Sequence, residues 1–283
     1  MRANIRQAQE GDLEQLAGLI SRAQRRYVAF ELPHLARLAR EGKVLCVERA
    51  GRLEAFLYAV LDRPNCHLRG LILPGGNAAK ELLSLLLAEL IRRAKQLGAA
   101  SILVLASAAW LRQALLAHGF GLSTELVTLR RRLPVPPLYP WPAIELHSAT
   151  EADLEALLVI EEEAFPPAWR NGPNTTAEYL WQMPHFLLAR SGREPIGYIC
   201  AQERARAAHI VRIAVRPRYQ RRGVGKALLA ALASALEAKG VRSLTLNTQA
   251  ENAAALGFYR ALGFAPEGAR TPLYRLNLAG NGP

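Results

Sequence analysis

Residues 216–232 read RPRYQRRGVGKALLAAL. Four arginines and a lysine crowd Gly223 and Gly225, and an apolar run with helical spacing follows at once. A basic turn of this kind at the start of a helix is an anion site. Glycine lets the backbone curl so that several amides point to one place, and the helix dipole adds to the attraction.

Three phosphate-binding designs put glycine at such a junction. The Walker loop needs a glycine five residues before its Gly-Lys pair and a hydroxyl after it; Gln220 and Ala227 hold those positions and exclude it. The dinucleotide fingerprint needs a small residue where the helix packs on its sheet, and Leu228 stands there. The third design, Gln/Arg-x-x-Gly-x-Gly/Ala, is met at every specified position by QRRGVG, 220–225.

The rest of the chain frames this turn. Its 283 residues suffice for two domains, each with its own core. A net charge of +12 calls for an anionic partner, which charge alone leaves open between a phosphorylated small molecule, RNA and an acidic protein surface. The basic residues are spread along the chain, and the run Arg130–Arg132 ends a strand-like segment as a solvated edge would, so nucleic acid is not the expected partner. Cys46, Cys66 and Cys200 have no spacing that suggests a disulfide framework or a zinc site, which fits a reducing compartment. The six histidines are scattered, and no metal is expected. The polar, periodic amino terminus is no secretory signal, and LLSLLLAELI, 82–91, is too short to span a bilayer and carries Glu89. A cytoplasmic protein with no membrane partner is expected.

The chain repeats itself. AQEGDLEQL at 8–16 matches ATEADLEAL at 149–157, an offset of 141. KQLGAASILVL at 95–105 lines up with AKGVRSLTLN, 238–247, at 142, and HGF at 118–120 meets LGF at 262–264 at 144. Three matches in one order with a slowly drifting offset identify a duplicated domain. Between the halves, LPVPPLYPWPA holds five prolines and reads as an extended spacer. The expected division is 1–132, a linker at 133–143, and 144–283.

In the second half the pattern predicts a helix over 150–164, with Thr150 and Asp153 forming a capping box. Strands follow at HFLLAR, PIGYICAQE and AHIVRIAV, then a helix over 223–239 stopped by Gly240. A strand at SLTLN, a helix over 252–262 ending at Gly263, and a strand at PLYRLNL complete an α/β domain with a mixed sheet.

The turn QRRGVG, the following NAAALGFYRALGF at 252–264 and the preceding HIVRIAVRP at 209–217 together carry a resemblance. The second half resembles the GNAT family, the acetyl-CoA-dependent N-acetyltransferases, and the first half resembles a worn copy. The resemblance implies two tandem GNAT-like domains, each a mixed, mainly antiparallel sheet flanked by helices. It also implies direct attack of an amine on acetyl-CoA, a cosubstrate. By resemblance the phosphates fall to Gln220, Arg221, Arg222, Gly223, Val224, Gly225 and Lys226. The pantetheine arm falls to the strand at Ile213, Ala214 and Val215, and Asn252 and Tyr259 complete the coenzyme site. The backbone N–H of Val215 would polarise the carbonyl, and Tyr259 would protonate the departing thiolate. His209 stands where one branch of the family has its basic glutamate, with Glu203 as a second candidate. The branch that acetylates ribosomal protein termini has a glutamate where this chain has Asn247. The acidic and aromatic stretch EEEAFPPAWR, 161–170, reads equally as the wall facing an amine acceptor and as a packed loop with solvated acids.

The offset of 142 puts Glu81 and Leu83 at the places of Gly223 and Gly225, and 144 puts Ala108 and Leu115 at those of Asn252 and Tyr259. An acid there repels phosphate and a leucine blocks the curl. Glycines in LPGGNAAK, 73–80, could still hold a weak anion, and His67 matches His209. One productive site per chain is expected, in the second half, in a monomer or homodimer. The expected activity is acetyl transfer from coenzyme A to a primary amine of a small molecule, peptide or protein. A non-catalytic acyl-CoA sensor or interaction module is the alternative, and an RNA binder a third.

Overall fold

The computed structural model describes residues 3–134 and 144–278; residues 135–143 of the expected linker lie outside them. In chain order the first half forms β1 (Asn4–Gln7), α1 (Leu13–Arg22), β2 (Arg25–Val28), α2 (Leu35–Arg40), β3 (Val44–Arg49) and β4 (Arg52–Val60). It continues with β5 (Asn65–Leu73), α3 (Ala78–Leu97), β6 (Ser101–Leu105), α4 (Ala109–Ala117) and β7 (Gly121–Arg132). The second half forms β8 (Glu145–Ser148), α5 (Leu154–Ala164), α6 (Pro173–Gln182), β9 (His185–Ser191), β10 (Glu194–Arg204) and β11 (Ala207–Val215). After these come α7 (Val224–Ala238), β12 (Ser243–Gln249), α8 (Ala253–Ala261), β13 (Ala265–Pro266) and β14 (Thr271–Asn277).

The compact units do not follow the expected division at 133–143. One comprises the chain up to Ser123 together with the stretch from Leu273 onward, and the other Thr124–Pro272. The reason is an exchange of last strands. β7, from the first half, pairs antiparallel with β12, Ser243 facing Arg132 through Gln249 facing Leu126. β14, from the second half, pairs antiparallel with β6, Leu273 facing Leu105 through Asn277 facing Ser101. Neither half completes its own sheet.

In the N-terminal unit β1, β3, β4, β5, β6 and β14 lie in that order, only β5–β6 being parallel. The C-terminal unit repeats the plan with β8, β9, β10, β11, β12 and β7, where β11–β12 is the parallel pair. Helices cover the sheets with stripes of four-residue spacing: Leu82, Leu86 and Leu90 of α3, and Leu228, Leu232 and Leu236 of α7, are all buried. Each core includes the visiting strand, Tyr274 in one unit and Leu129 in the other. Elsewhere the sequence pattern holds. The Asp153 carboxylate accepts the Thr150 amide at 3.0 Å in the expected capping box, and Gly240 and Gly263 end their helices at φ 85° and 77°. Helix α6 and strand β2 were not foreseen. Among the described residues no helix is long and apolar enough to cross a membrane.

Candidate active site

The C-terminal sheet contains a deliberate gap. β11 and β12 pair only over Ala207–Ile210 and Ser243–Leu246, although β11 runs on to Val215 and β12 to Gln249. The cause lies one residue on. Against β10, Cys200 faces Arg212 but Ala201 faces Ile210, so Val211 is an extra, bulged residue. A bulge bends its strand, and here it opens a notch between β11 and β12.

The notch has a usable backbone edge. The Arg216 amide donates to the Ile196 carbonyl of β10 at 2.9 Å. Because bonding alternates along an antiparallel pair, the Ala214 amide also faces β10, while those of Ile213 and Val215 face the notch. The Val215 carbonyl points the same way and accepts Nε2 of Gln220 at 2.9 Å.

The basic turn leads from this edge into α7. Gly223 has φ 89° and forms the N-cap with no side chain to satisfy the first amides, and Arg221 also adopts a positive φ, 59°. The first helical bond runs from Ala227 to the Gly223 carbonyl, so the amides of Val224, Gly225 and Lys226 have no helical partners. Gly225 does not curl the chain as expected. It lies inside α7, and a Cβ there would come within 3.2 Å of the Phe258 ring. The cations also divide. Arg216 is buried in ion pairs with Glu163 and Glu194 at 2.5 and 2.7 Å, and Arg218 binds Glu194. Arg221, Arg222 and Lys226 are exposed and carry no ion pair among the described residues.

On α8, Asn252 is the N-cap, its side-chain oxygen accepting the Ala255 amide at 3.0 Å and its amide reaching Gln249 at 3.3 Å. Its side chain is thus committed to starting the helix that carries Tyr259. Tyr259 is 7% exposed between Phe258 and Phe264, ring centroids at 5.2 and 5.7 Å. Burial raises its hydroxyl to about 12, against the opposing pull of the Arg212 charge.

His209 lies in the paired part of β11, with Nδ1 2.9 Å from the Thr245 hydroxyl. Burial, then the Arg204 charge, lower its pKa below the usual histidine value. Glu203 is engaged elsewhere, bonded to His185 Nε2 at 2.9 Å. Asn247 follows the last residue of β12 that pairs with β11 and accepts the Thr128 hydroxyl at 2.9 Å.

One cluster escaped the sequence reading. Glu161, whose run is expected to form an acceptor wall or a packed loop with solvated acids, is fully buried. It accepts the Tyr198 hydroxyl, Nε and Nη2 of Arg212 at 2.9 and 2.6 Å, and the Asn171 amide at 2.9 Å. Arg212 also donates to the Trp169 carbonyl at 2.8 Å and lies 3.6 Å over the Phe165 ring. The loop after α5 is therefore tied to the first residue beyond the bulge. A signal existed in the sequence: Glu161 continues the buried stripe of Leu157 and Ile160.

Comparison with known proteins assigns this half of the chain to a family. Residues 154–264 match the Acetyltransferase (GNAT) family. Over 122 residues the chain is 36% identical to the ribosomal-protein-bS18-alanine N-acetyltransferase of Escherichia coli K12, covering 42% of this chain and 79% of that one. The N-alpha-acetyltransferase RimI of Mycobacterium tuberculosis is 35% identical over 130 residues, 44% of this chain and 77% of its own. The chain belongs to the GNAT family and is an N-acetyltransferase. Its fold over the whole length is similar to that of a tandem GNAT protein from the clavulanic acid biosynthesis pathway, with TM-score 0.63, 13% identity and coverage of 99% and 100%. Both units have the GNAT-like fold.

Proposed function

We propose that the C-terminal unit transfers the acetyl group of acetyl-CoA to a primary amine by direct attack, and that the amine is the α-amine of a peptide or protein terminus. The observation that carries the reading is the notch: the unpaired amides of Ile213 and Val215 lie on the strand that leads into the uncapped start of α7. The amides of the turn and of Val224, Gly225 and Lys226 hold the pyrophosphate, with Arg221, Arg222 and Lys226 adding charge. Ile213, Ala214 and Val215 line the pantetheine arm. Val215 N–H donates to the thioester carbonyl as negative charge develops there, a fixed dipole that needs no reorganisation. His209, neutral near pH 7, takes the proton of the attacking amine. Tyr259, protonated at the same pH, returns one to the thiolate. Asn252 serves by starting α8 and so aiming Tyr259. The peptide-terminus assignment rests on the names of the two relatives above. The buried free thiols of Cys46, Cys66 and Cys200 suit a reducing, cytoplasmic setting.

The test is acetyl transfer to a peptide with a free amino-terminal alanine, beside the same peptide blocked at that amine and carrying an internal lysine. Transfer to the free α-amine is expected, and Tyr259→Phe lowers kcat about a hundredfold while leaving acetyl-CoA affinity unchanged. Transfer to the lysine alone, or to neither peptide, overturns the acceptor assignment.

A further inference from the structure

The N-terminal unit keeps the bulge that opens the notch and then fills the opening with its own chain. Against β4, Tyr58 faces Gly70 but Ala59 faces Leu68, which makes Arg69 the extra residue at the place of Val211, an offset of 142. β5 likewise pairs with β6 only over Asn65–His67 and runs on to Leu73. Beyond the bulge the two units part. β2 lies antiparallel along the free edge of β5, Arg25 facing Leu73, Arg26 facing Ile72, Tyr27 facing Leu71 and Val28 facing Gly70.

The residues around β2 complete the closure. The Ala29 amide donates to the Arg69 carbonyl at 2.8 Å, and the Tyr27 hydroxyl reaches the Leu68 carbonyl at 3.3 Å. Phe30 packs edge-on against Tyr58, centroids 5.1 Å apart, in space free only because residue 70 is glycine: a Cβ there would lie 2.9 Å from its ring. Gln24 covers Gly75 so closely that a Cβ would fall 1.8 Å from its Oε1. Farther on, helix α3 starts at Ala78, whose counterpart is Gln220. The places of the basic turn are therefore helical in this unit.

The C-terminal unit has the same segment and holds it off. α1 and α5 begin at Leu13 and Leu154, an offset of 141, which sets Arg25 and Arg26 against Pro166 and Pro167. Proline has no N–H for a ladder, and its fixed φ does not suit one. The next backbone groups are already spent, the Trp169 carbonyl on Arg212 and the Asn171 amide on Glu161. The side chains that spend them have no equivalent in the first half, where Ile20 and Gly70 stand at the places of Glu161 and Arg212.

We infer that β2 is a permanent internal occupant of the N-terminal notch, and that Pro166, Pro167, Glu161 and Arg212 are positioning residues that keep the C-terminal notch open for its ligand. The inference builds on the proposed acetyl-CoA site, but its first test does not need it. Amide hydrogen exchange on the full chain without ligand should show the Leu71 and Leu73 amides, which face β2, protected and the Ile213 and Val215 amides exchanging at least about tenfold faster. Equal protection of the two edges overturns the inference, whatever the ligand. Titration with acetyl-CoA should then give one site per chain, slow exchange at 213 and 215 and leave Leu71 and Leu73 unchanged. Protection gained at Leu71 and Leu73, or two sites, overturns the occupant role of β2. Absence of any binding instead overturns the proposed function while the ligand-free comparison still stands.

Two variants make the roles separable. Arg25→Pro with Tyr27→Pro should speed exchange at Leu71 and Leu73 about tenfold and leave acetyl transfer within about twofold; unchanged exchange there counts against β2. Copying the first half with Glu161→Ile, Pro166→Arg, Pro167→Arg and Arg212→Gly should protect the Ile213 and Val215 amides without ligand and weaken acetyl-CoA binding at least about tenfold. A folded variant with open edge and full affinity overturns the positioning role.

Discussion

His209 shows how one residue type can be read and its surroundings missed. It sits opposite Thr245 in the parallel ladder, and its counterpart His67 holds the same register place opposite Leu103. The histidine is shared by both copies, but its hydroxyl partner belongs to the C-terminal one. Burial disfavours the charged imidazolium, so His209 titrates below the usual value near 6.5. A base works when neutral. In the pH profile of kcat, which reports the bound complex, the acidic limb should therefore lie below the usual histidine value, activity falling as pH drops through the depressed pKa. His209→Gln should remove that limb; a limb that persists assigns the base elsewhere. The same shift has a stability sign. The neutral ring is favoured in the fold, so its contribution is present above the unfolded pKa and lost as pH falls through the folded one.

At the scale of elements, Gly223 and Gly225 both match the motif but act for different reasons. Gly223 holds φ 89°, which a side chain resists, whereas Gly225 has helical backbone and a crowded bare face against Phe258. Gly223→Ala should distort the turn at a cost of roughly 1–2 kcal/mol and weaken acetyl-CoA binding at least about tenfold. Gly225→Ala should instead move α8 through Phe258, lowering kcat more than affinity because Tyr259 is the next residue. Titration calorimetry and steady-state kinetics on the two variants separate the effects. The turn, α7 and α8 were legible because each depends on local rules of glycine, capping and helical spacing. β2 was not. RRYV and PPAW differ by little in apolar pattern, and only the presence of backbone donors, together with Gly70 lying across the fold, turns the first into a strand.

The whole molecule is bound by exchange of β7 and β14. Residues 1–132 alone would leave β6 without β14, and 144–283 alone would leave β12 without β7. An unpaired strand edge over a half-made core invites aggregation. The two halves expressed separately should be insoluble or unfolded, and expressed together they should recover a complex with acetyl-CoA affinity. A separately folded, monomeric 144–283 with full affinity would contradict this. The prolines of 133–143 mark a change in composition, whereas the compact units divide at 123/124 and 272/273, because strand pairing crosses between the sequence halves.

What the sequence by itself determined is the duplication, the element order, the basic turn and the order of turn, Asn252 and Tyr259. Each is written in local composition or in the comparison of one half with the other. Tertiary structure alone decided which edge of β11 is free, that Glu161 is a buried partner of Arg212, and that β2 closes the first notch while prolines hold the second open. These depend on hydrogen-bond pairing and burial between residues far apart in the chain, where the identity of a residue does not reveal what stands opposite it.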